Sequence, residues 1–137
     1  MRRLNAYLRF NGTCREAMEF YRECLGGQLS IMTVGQTQMA SQMAPSMKDR
    51  VMHSALESDG MVLMASDMGP PEGLVKGNTM SLCVNGTGDE GIETLFTKLS
   101  AGGKVTTPFR KEFFGMYGDL TDRFGVDWIF QADLPKA

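Results

Sequence analysis

Apolar and polar residues alternate along the opening run, so Leu4, Ala6, Leu8 and Phe10 share one face of an extended strand and Asn5, Tyr7 and Arg9 share the other. The period then changes. From Cys14 to Leu25 the apolar residues Ala17, Phe20, Tyr21, Cys24 and Leu25 recur at three- and four-residue steps, which predicts an amphipathic helix ended by Gly26-Gly27. Strand patterns follow in "QLSIMTV" and in two arms either side of Asp59-Gly60, a dipeptide that predicts a tight primed hairpin turn.

The pattern recurs. Leu8, Asn11, Gly12, Thr13, Glu16, Glu19 and Leu25 are echoed 74 positions on by Leu82, Asn85, Gly86, Thr87, Glu90, Glu93 and Leu99. Agreement at a single offset predicts a duplicated unit. Each copy places a threonine and, three residues later, a glutamate ahead of a helical stripe, the spacing of a capping box. The second helix is expected from about Asp89 to Leu99 or Ala101, with Ile92, Leu95, Phe96 and Leu99 inward and Gly102-Gly103 beyond. "KVTTPF", "MYGDLT" and "VDWIFQ" supply its strands, with Phe124-Gly125 between the last two. On its opening strand Met80, Leu82 and Val84 oppose Thr79, Ser81 and Cys83. The order β-α-β-β-β therefore occurs twice.

Two segments break the regularity. Residues 35–50 are polar, space Met39, Met43 and Met47 four apart and contain Pro45, a pattern suited to a short amphipathic turn or a flap. Residues 68–77 carry the glycine and proline content of a connector. The expected organisation is a single domain over 1–137, with module one at about 1–67, the connector at about 68–77 and module two at about 78–134.

Composition narrows the classes. The 137 residues are 42% hydrophobic and 22% charged, with a net charge of -2, which offers no basic patch for nucleic acid and no continuous apolar run for a membrane span. Asn5 and Arg9 interrupt what a secretion signal would need as its apolar centre, so the expected location is cytoplasmic. Cys14, Cys24 and Cys83 are three in number without a CxxC spacing, which speaks against a disulfide framework or a structural zinc site.

Candidate chemistry is sparse. The chain holds one histidine, His53, within the strand "VMHSALES" beside Val51, Ala55 and Glu57 on one face. An isolated histidine in an apolar strand reads first as a hydrogen-bonded structural ring and second as a pocket residue. Cys14 falls in the first turn of a helix, where the dipole lowers a thiol pKa, yet no second histidine exists to serve as its base. Tyr7 and Cys83 on the polar strand faces fit a small-molecule site of polar groups on apolar walls. In the run "PFRKEFFGMYGDLTDRFG", Phe109, Phe113, Phe114 and Tyr117 fit the floor of a pocket or structural packing alike, with packing favoured for Phe109 and Phe124, and Trp128 reads as core.

"NGTCREAMEFYRECLGG", "VMHSALESDGMVLMASD" and "GDLTDRFGVDWIFQ" together resemble the PhnB-like group of the vicinal oxygen chelate superfamily, which includes glyoxalases, bleomycin-resistance proteins and extradiol dioxygenases. The resemblance spans nearly the whole chain. It implies an α+β fold of two βαβββ modules forming curled mixed sheets around a cavity, commonly in a homodimer. The metal positions of the family enzymes fall on Asn5, on Leu63 or Met64, on Thr79 and near Ile129, none of them an imidazole or carboxylate. The expected ligand-pocket residues are Asn5, Tyr7, His53, Thr79, Ser81, Phe113, Phe114 and Tyr117, with no metal ligand and no cofactor. The implied function is binding of a small molecule without the ancestral metal. The alternatives are a metal-dependent lyase or dioxygenase with a different ligand set, and a non-enzymatic drug-binding or resistance module.

Overall fold

The computed structural model describes residues 2–87 and 91–133. They fall into two compact units, Met1–Val75 and Lys76–Ala137. The first contains β1 (Ala6–Arg9), α1 (Cys14–Leu25), β2 (Gln28–Thr33), β3 (Val51–Ser58) and β4 (Met61–Ser66); the second contains β5 (Leu82–Gly86), α2 (Ile92–Ser100), β6 (Lys104–Glu112), β7 (Gly115–Thr121) and β8 (Asp127–Ala132). Each unit is thus a βαβββ module, as the repeat predicts.

The sheets have the orders β1-β4-β3-β2 and β5-β8-β7-β6. In each, the first strand pairs parallel with the last, and the other neighbours are antiparallel. Both sheets are open. This corrects the expectation of curled sheets around a cavity: the edge strands of each unit are separated by two others and do not pair with each other. Four strands are far short of the roughly eight that a closed barrel with a filled interior needs.

Each helix covers one face of its own sheet. Ala17, Met18, Phe20, Tyr21 and Cys24 of α1 are buried with Phe10, Val51, Leu56, Leu63 and Ala65, and Met18 is a core member that the five-residue stripe omits. In the second unit Ile92, Phe96 and Leu99 bury with Leu120, Trp128 and Phe130, and the Phe96 ring meets Phe130 edge-on at 5.3 Å and Phe109 at 5.7 Å. Gly27 has φ of +102°, and a Cβ there would strike the Glu57 carbonyl oxygen, so glycine lets β2 leave α1 against β3.

Several local expectations change. The capping box at Thr13 does not form, since Thr13 makes no side-chain cap bond. Asp67, just past β4, acts instead: its Oδ1 accepts Gly12 N at 2.8 Å and Cys14 N at 3.1 Å, and its Oδ2 accepts Val51 N at 2.9 Å. A buried carboxylate is a stronger acceptor for orphan helix amides than a hydroxyl. The second box includes Glu90, which lies outside the described residues, and α2 begins at Ile92 behind Gly91. At the β3–β4 turn only Gly60 has positive φ, so a primed turn, which would require positive φ at Asp59, is not formed.

The strand bounds differ between the two copies of the repeat. Asn85-Gly86 lies inside β5, whereas Asn11-Gly12 lies beyond β1. Residues 34–47 form three short 3-10 turns, Val34–Gln36, Gln38–Gln42 and Pro45–Met47, stitched to their exit by Val34 N to Arg50 O and Gly35 N to Lys48 O.

Removing the Asp67 carboxylate leaves three backbone donors without their acceptor. Asp67→Ala is expected to lower unfolding stability by about 3 kcal/mol, read from urea denaturation at pH 7. A loss below about 0.5 kcal/mol would show that these donors find other partners.

Candidate functional site

With each core face under a helix, chemistry is left to the opposite faces. In the first unit Tyr7, Met64, Ala55 and His53 share that face by register, with Met32 opposite His53. The register slips between Met32 and Thr33, and Val51, which simple alternation places beside His53, is fully buried instead. The His53 ring lies 5.9 Å from that of Tyr7, and Tyr7 is 46% exposed. The structure shows no hydrogen bond to the imidazole from another described residue, and Met32 stands opposite it on β2. Asn5 is half-buried just ahead of β1.

In the second unit register places Asn85, Gln131, Tyr117 and Arg110 in one row across the sheet, and Cys83, Ile129, Asp119 and Thr107 in the next. Tyr117 donates to Asp119 Oδ2 at 2.8 Å. Burial, and then the adjoining Asp119 carboxylate, hold its phenol above the usual range, so it stays protonated at neutral pH. Phe114 stacks edge-on against Tyr117 at 6.0 Å and Phe113 against Phe114 at 5.1 Å. These rings bring Phe113, Phe114 and Tyr117 together at the β6–β7 turn. Thr79 and Ser81 differ: both are exposed and precede β5, outside any strand. Sequence alternation alone cannot tell such an approach segment from the strand it enters.

Asp119 was missed by pattern reading, because a carboxylate in "MYGDLT" reads as an ordinary solvated strand residue. Asp122 was missed likewise: it accepts Phe124 N, Val126 N and Trp128 Nε1 and so builds the β7–β8 turn. Its three partners mark it as structural.

Cys14 is completely buried, 3.6 Å from Ser54 Oγ. Burial pushes its thiol up to about 11, with Asp67 adding to the rise and Ser54 and Arg15 opposing it. Burial outweighs the helix dipole at this thiol. Asp67 closes the β1–α1 turn to a cofactor phosphate, since the Gly12 and Cys14 amides that would receive it are taken.

The donor set does not fit a divalent metal. Asn5, Leu63, Met64, Thr79 and Ile129 offer an amide, a hydroxyl, a thioether and aliphatic carbon, and no three His, Cys, Asp or Glu side chains converge among the described residues.

Two βαβββ units with these strand orders define a protein of the vicinal oxygen chelate class. The chain belongs to the family described as 3-demethylubiquinone-9 3-methyltransferase, whose model matches residues 2–131, and it is PhnB-like within that class. It is 27% identical over 139 residues to Protein YjdN of Escherichia coli (strain K12), covering 94% of each chain. Among solved structures it is similar to protein PA1353 from Pseudomonas aeruginosa, at 34% identity and a TM-score of 0.84 over 98% of this chain and 100% of that one. The PhnB protein from Bacillus cereus is similar at 26% identity and a TM-score of 0.74, over 96% and 99% of the two chains.

The burial pattern predicts a thiol order. Iodoacetamide at pH 8 is expected to modify exposed Cys83 alone in the native protein, and buried Cys14 and Cys24 only after denaturation, as peptide mass mapping will show. Early labelling of Cys14 would mean that its burial and raised pKa do not hold in solution.

Proposed function

We propose that this protein binds a small molecule on the sheet faces opposite its helices and does so without the metal of the family's enzymes. The observation that carries the reading is the substitution of the inherited metal positions by groups that cannot form a divalent site, while polar and aromatic side chains remain on the same faces. Asn5, Tyr7 and His53 are the contacts proposed from the first unit, and Phe113, Phe114 and Tyr117 from the second. Thr79 and Ser81, exposed ahead of β5, serve as peripheral contacts. The imidazole of His53 acts as a hydrogen-bonding group beside the Tyr7 ring. No bond-making step is assigned to it.

The family description supplies no step for this chain. Ubiquinone methylation would call for a methyl-donor cofactor, and the β1–α1 turn, with one glycine and its amides already engaged, is not a nucleotide cradle. Fold likeness carries the architecture; the residues carry the function.

The working form proposed is a cytoplasmic homodimer. No helix among the described residues is long and apolar enough to cross a membrane. Leu4, Val75 and Met80 are each more than four-fifths exposed, apolar surface that pairing with a second copy would cover. Light scattering at micromolar concentration is expected to give twice the chain mass of 15.1 kDa.

Native purification followed by elemental analysis and native mass spectrometry tests the reading. The expected result is substoichiometric metal in both wild type and His53→Ala, with any co-purified small molecule held less tightly by the variant at unchanged melting temperature. A stoichiometric ion that disappears in His53→Ala would replace this reading with that of a metalloenzyme.

A further inference from the structure

The second unit contains a carboxylate that its own fold leaves incomplete. Asp119 stands two residues from Tyr117 on β7, on the face opposite buried Gly118 and Leu120. Its Oδ2 receives the Tyr117 hydroxyl at 2.8 Å. Its Oδ1 is shielded from solvent and has no hydrogen-bond partner among the described residues. A carboxylate removed from water and left with a bare oxygen is penalised, and what relieves it is a hydrogen-bond donor.

The surrounding groups do not supply that donor: Ile129, opposite Asp119 on β8, is aliphatic, and neither Thr107, opposite it on β6, nor Gln131, opposite Tyr117, bonds Oδ1. Arg110, opposite Tyr117 on β6, gives its Nε to Glu112 at 2.9 Å. Lys76 is paired with Asp127 at 3.0 Å, and Asp127 also receives the Thr121 hydroxyl. The phenol of Tyr117 is committed as a donor to the other oxygen and stays protonated. Beyond it, the Phe114 and Phe113 rings continue toward solvent, 55% and 95% exposed.

We infer that Tyr117 and Asp119 form a subsite for the amine end of a ligand, an ammonium or other N–H donor received by the open carboxylate oxygen, with the ligand's apolar part laid on the Tyr117, Phe114 and Phe113 rings. The inference rests on the small-molecule reading above and adds Asp119 and a ligand class to it. Charge and shape agree. A cation is favoured by the carboxylate and by the faces of neighbouring rings, whereas a ligand carboxylate or phosphate meets repulsion. The terminal torsion of an aspartate is broad, so a small turn of the carboxylate opens Oδ1 to an incoming donor. Tyr117 is a positioning residue for that carboxylate as well as an aromatic contact.

Benzylamine and benzoate share the ring and differ in the charged end, and either is titrated into protein with 13C-labelled aspartate carboxyls. Benzylamine is expected to shift the Asp119 carboxyl resonance saturably in the millimolar range, and benzoate to leave it in place. Asp119→Asn, which keeps the size and an acceptor for Tyr117, is expected to weaken benzylamine by about tenfold, followed on the Phe114 and Tyr117 ring signals. Tyr117→Phe is expected to weaken it less and to move the Asp119 resonance even without ligand. Equal binding of benzylamine and benzoate, or benzylamine binding by Asp119→Asn within about twofold of wild type, would overturn the subsite. Should Asp119→Asn fail to fold, an Asp119 resonance in the wild type that ignores benzylamine overturns it equally. A stoichiometric ion lost in His53→Ala defeats the metal-free reading without moving the Asp119 signal, so the two failures are told apart.

Discussion

The first unit depends on one carboxylate in one place. Pairing β1 beside β4 brings together three chain ends far apart in sequence: the start of α1, the start of β3 and the exit of β4. Each brings backbone donors into a region closed to water. Asp67 accepts from Gly12, Cys14 and Val51, while its own amide donates to the Val51 carbonyl at 2.9 Å. The parallel pair and the helix that crosses over it are held at that point, and the full burial of Cys14, Val51 and Ala65 follows from it.

The same device shapes what the protein can do. A free helix start attracts phosphates and activates thiols; here the amides are taken by Asp67, and burial holds the Cys14 thiol above its usual range. Cys14 becomes an inert core thiol, and the β1–α1 turn ceases to be a ligand loop. In the function proposed above, recognition falls on the sheet faces opposite the helices, where Tyr7 meets His53 in one unit and Tyr117 meets Asp119 in the other. The contrast between Asp67 and Asp119 is instructive, since both are shielded from water to some degree. One has its acceptors filled by backbone donors; the other retains an oxygen with no donor among the described residues.

What the sequence revealed was local. The Cys14–Leu25 helix is legible residue for residue because its stripe and its terminal glycines lie within one short window, and the strands of both units show their alternation. Long-range partners left no such trace. Asp67 caps a helix more than fifty positions upstream, so nothing near Thr13 announces that its hydroxyl will be displaced. Alternation places Cys83 on the polar face, but it also carries Thr79 and Ser81 into a strand they only approach. Phe113, Phe114 and Tyr117 stood out through the resemblance of "FFG" to PhnB-like proteins, whereas Asp119 becomes visible only when hydrogen bonds are counted.

Strand register also explains why loss of a metal site need not empty the face that held it. Tyr7 remains locked beside Met64, and Cys83 beside Ile129, by backbone hydrogen bonds that take no account of side-chain identity. Replacing imidazoles and carboxylates at such positions changes the donor chemistry and leaves the spacing. An ion demands several anionic or imidazole donors at fixed distances, and the loss of two ends its binding outright. An organic ligand is less exacting: polarizable thioethers and ring faces accept many shapes, and orientation is fixed by a few polar atoms. His53 and the Tyr117–Asp119 pair are polar groups of that kind, each set among apolar neighbours. On the metal-free reading proposed above, such a scaffold recognises by contact and hydrogen bonding, and the identity of the polar atoms, more than the fold, decides what is recognised.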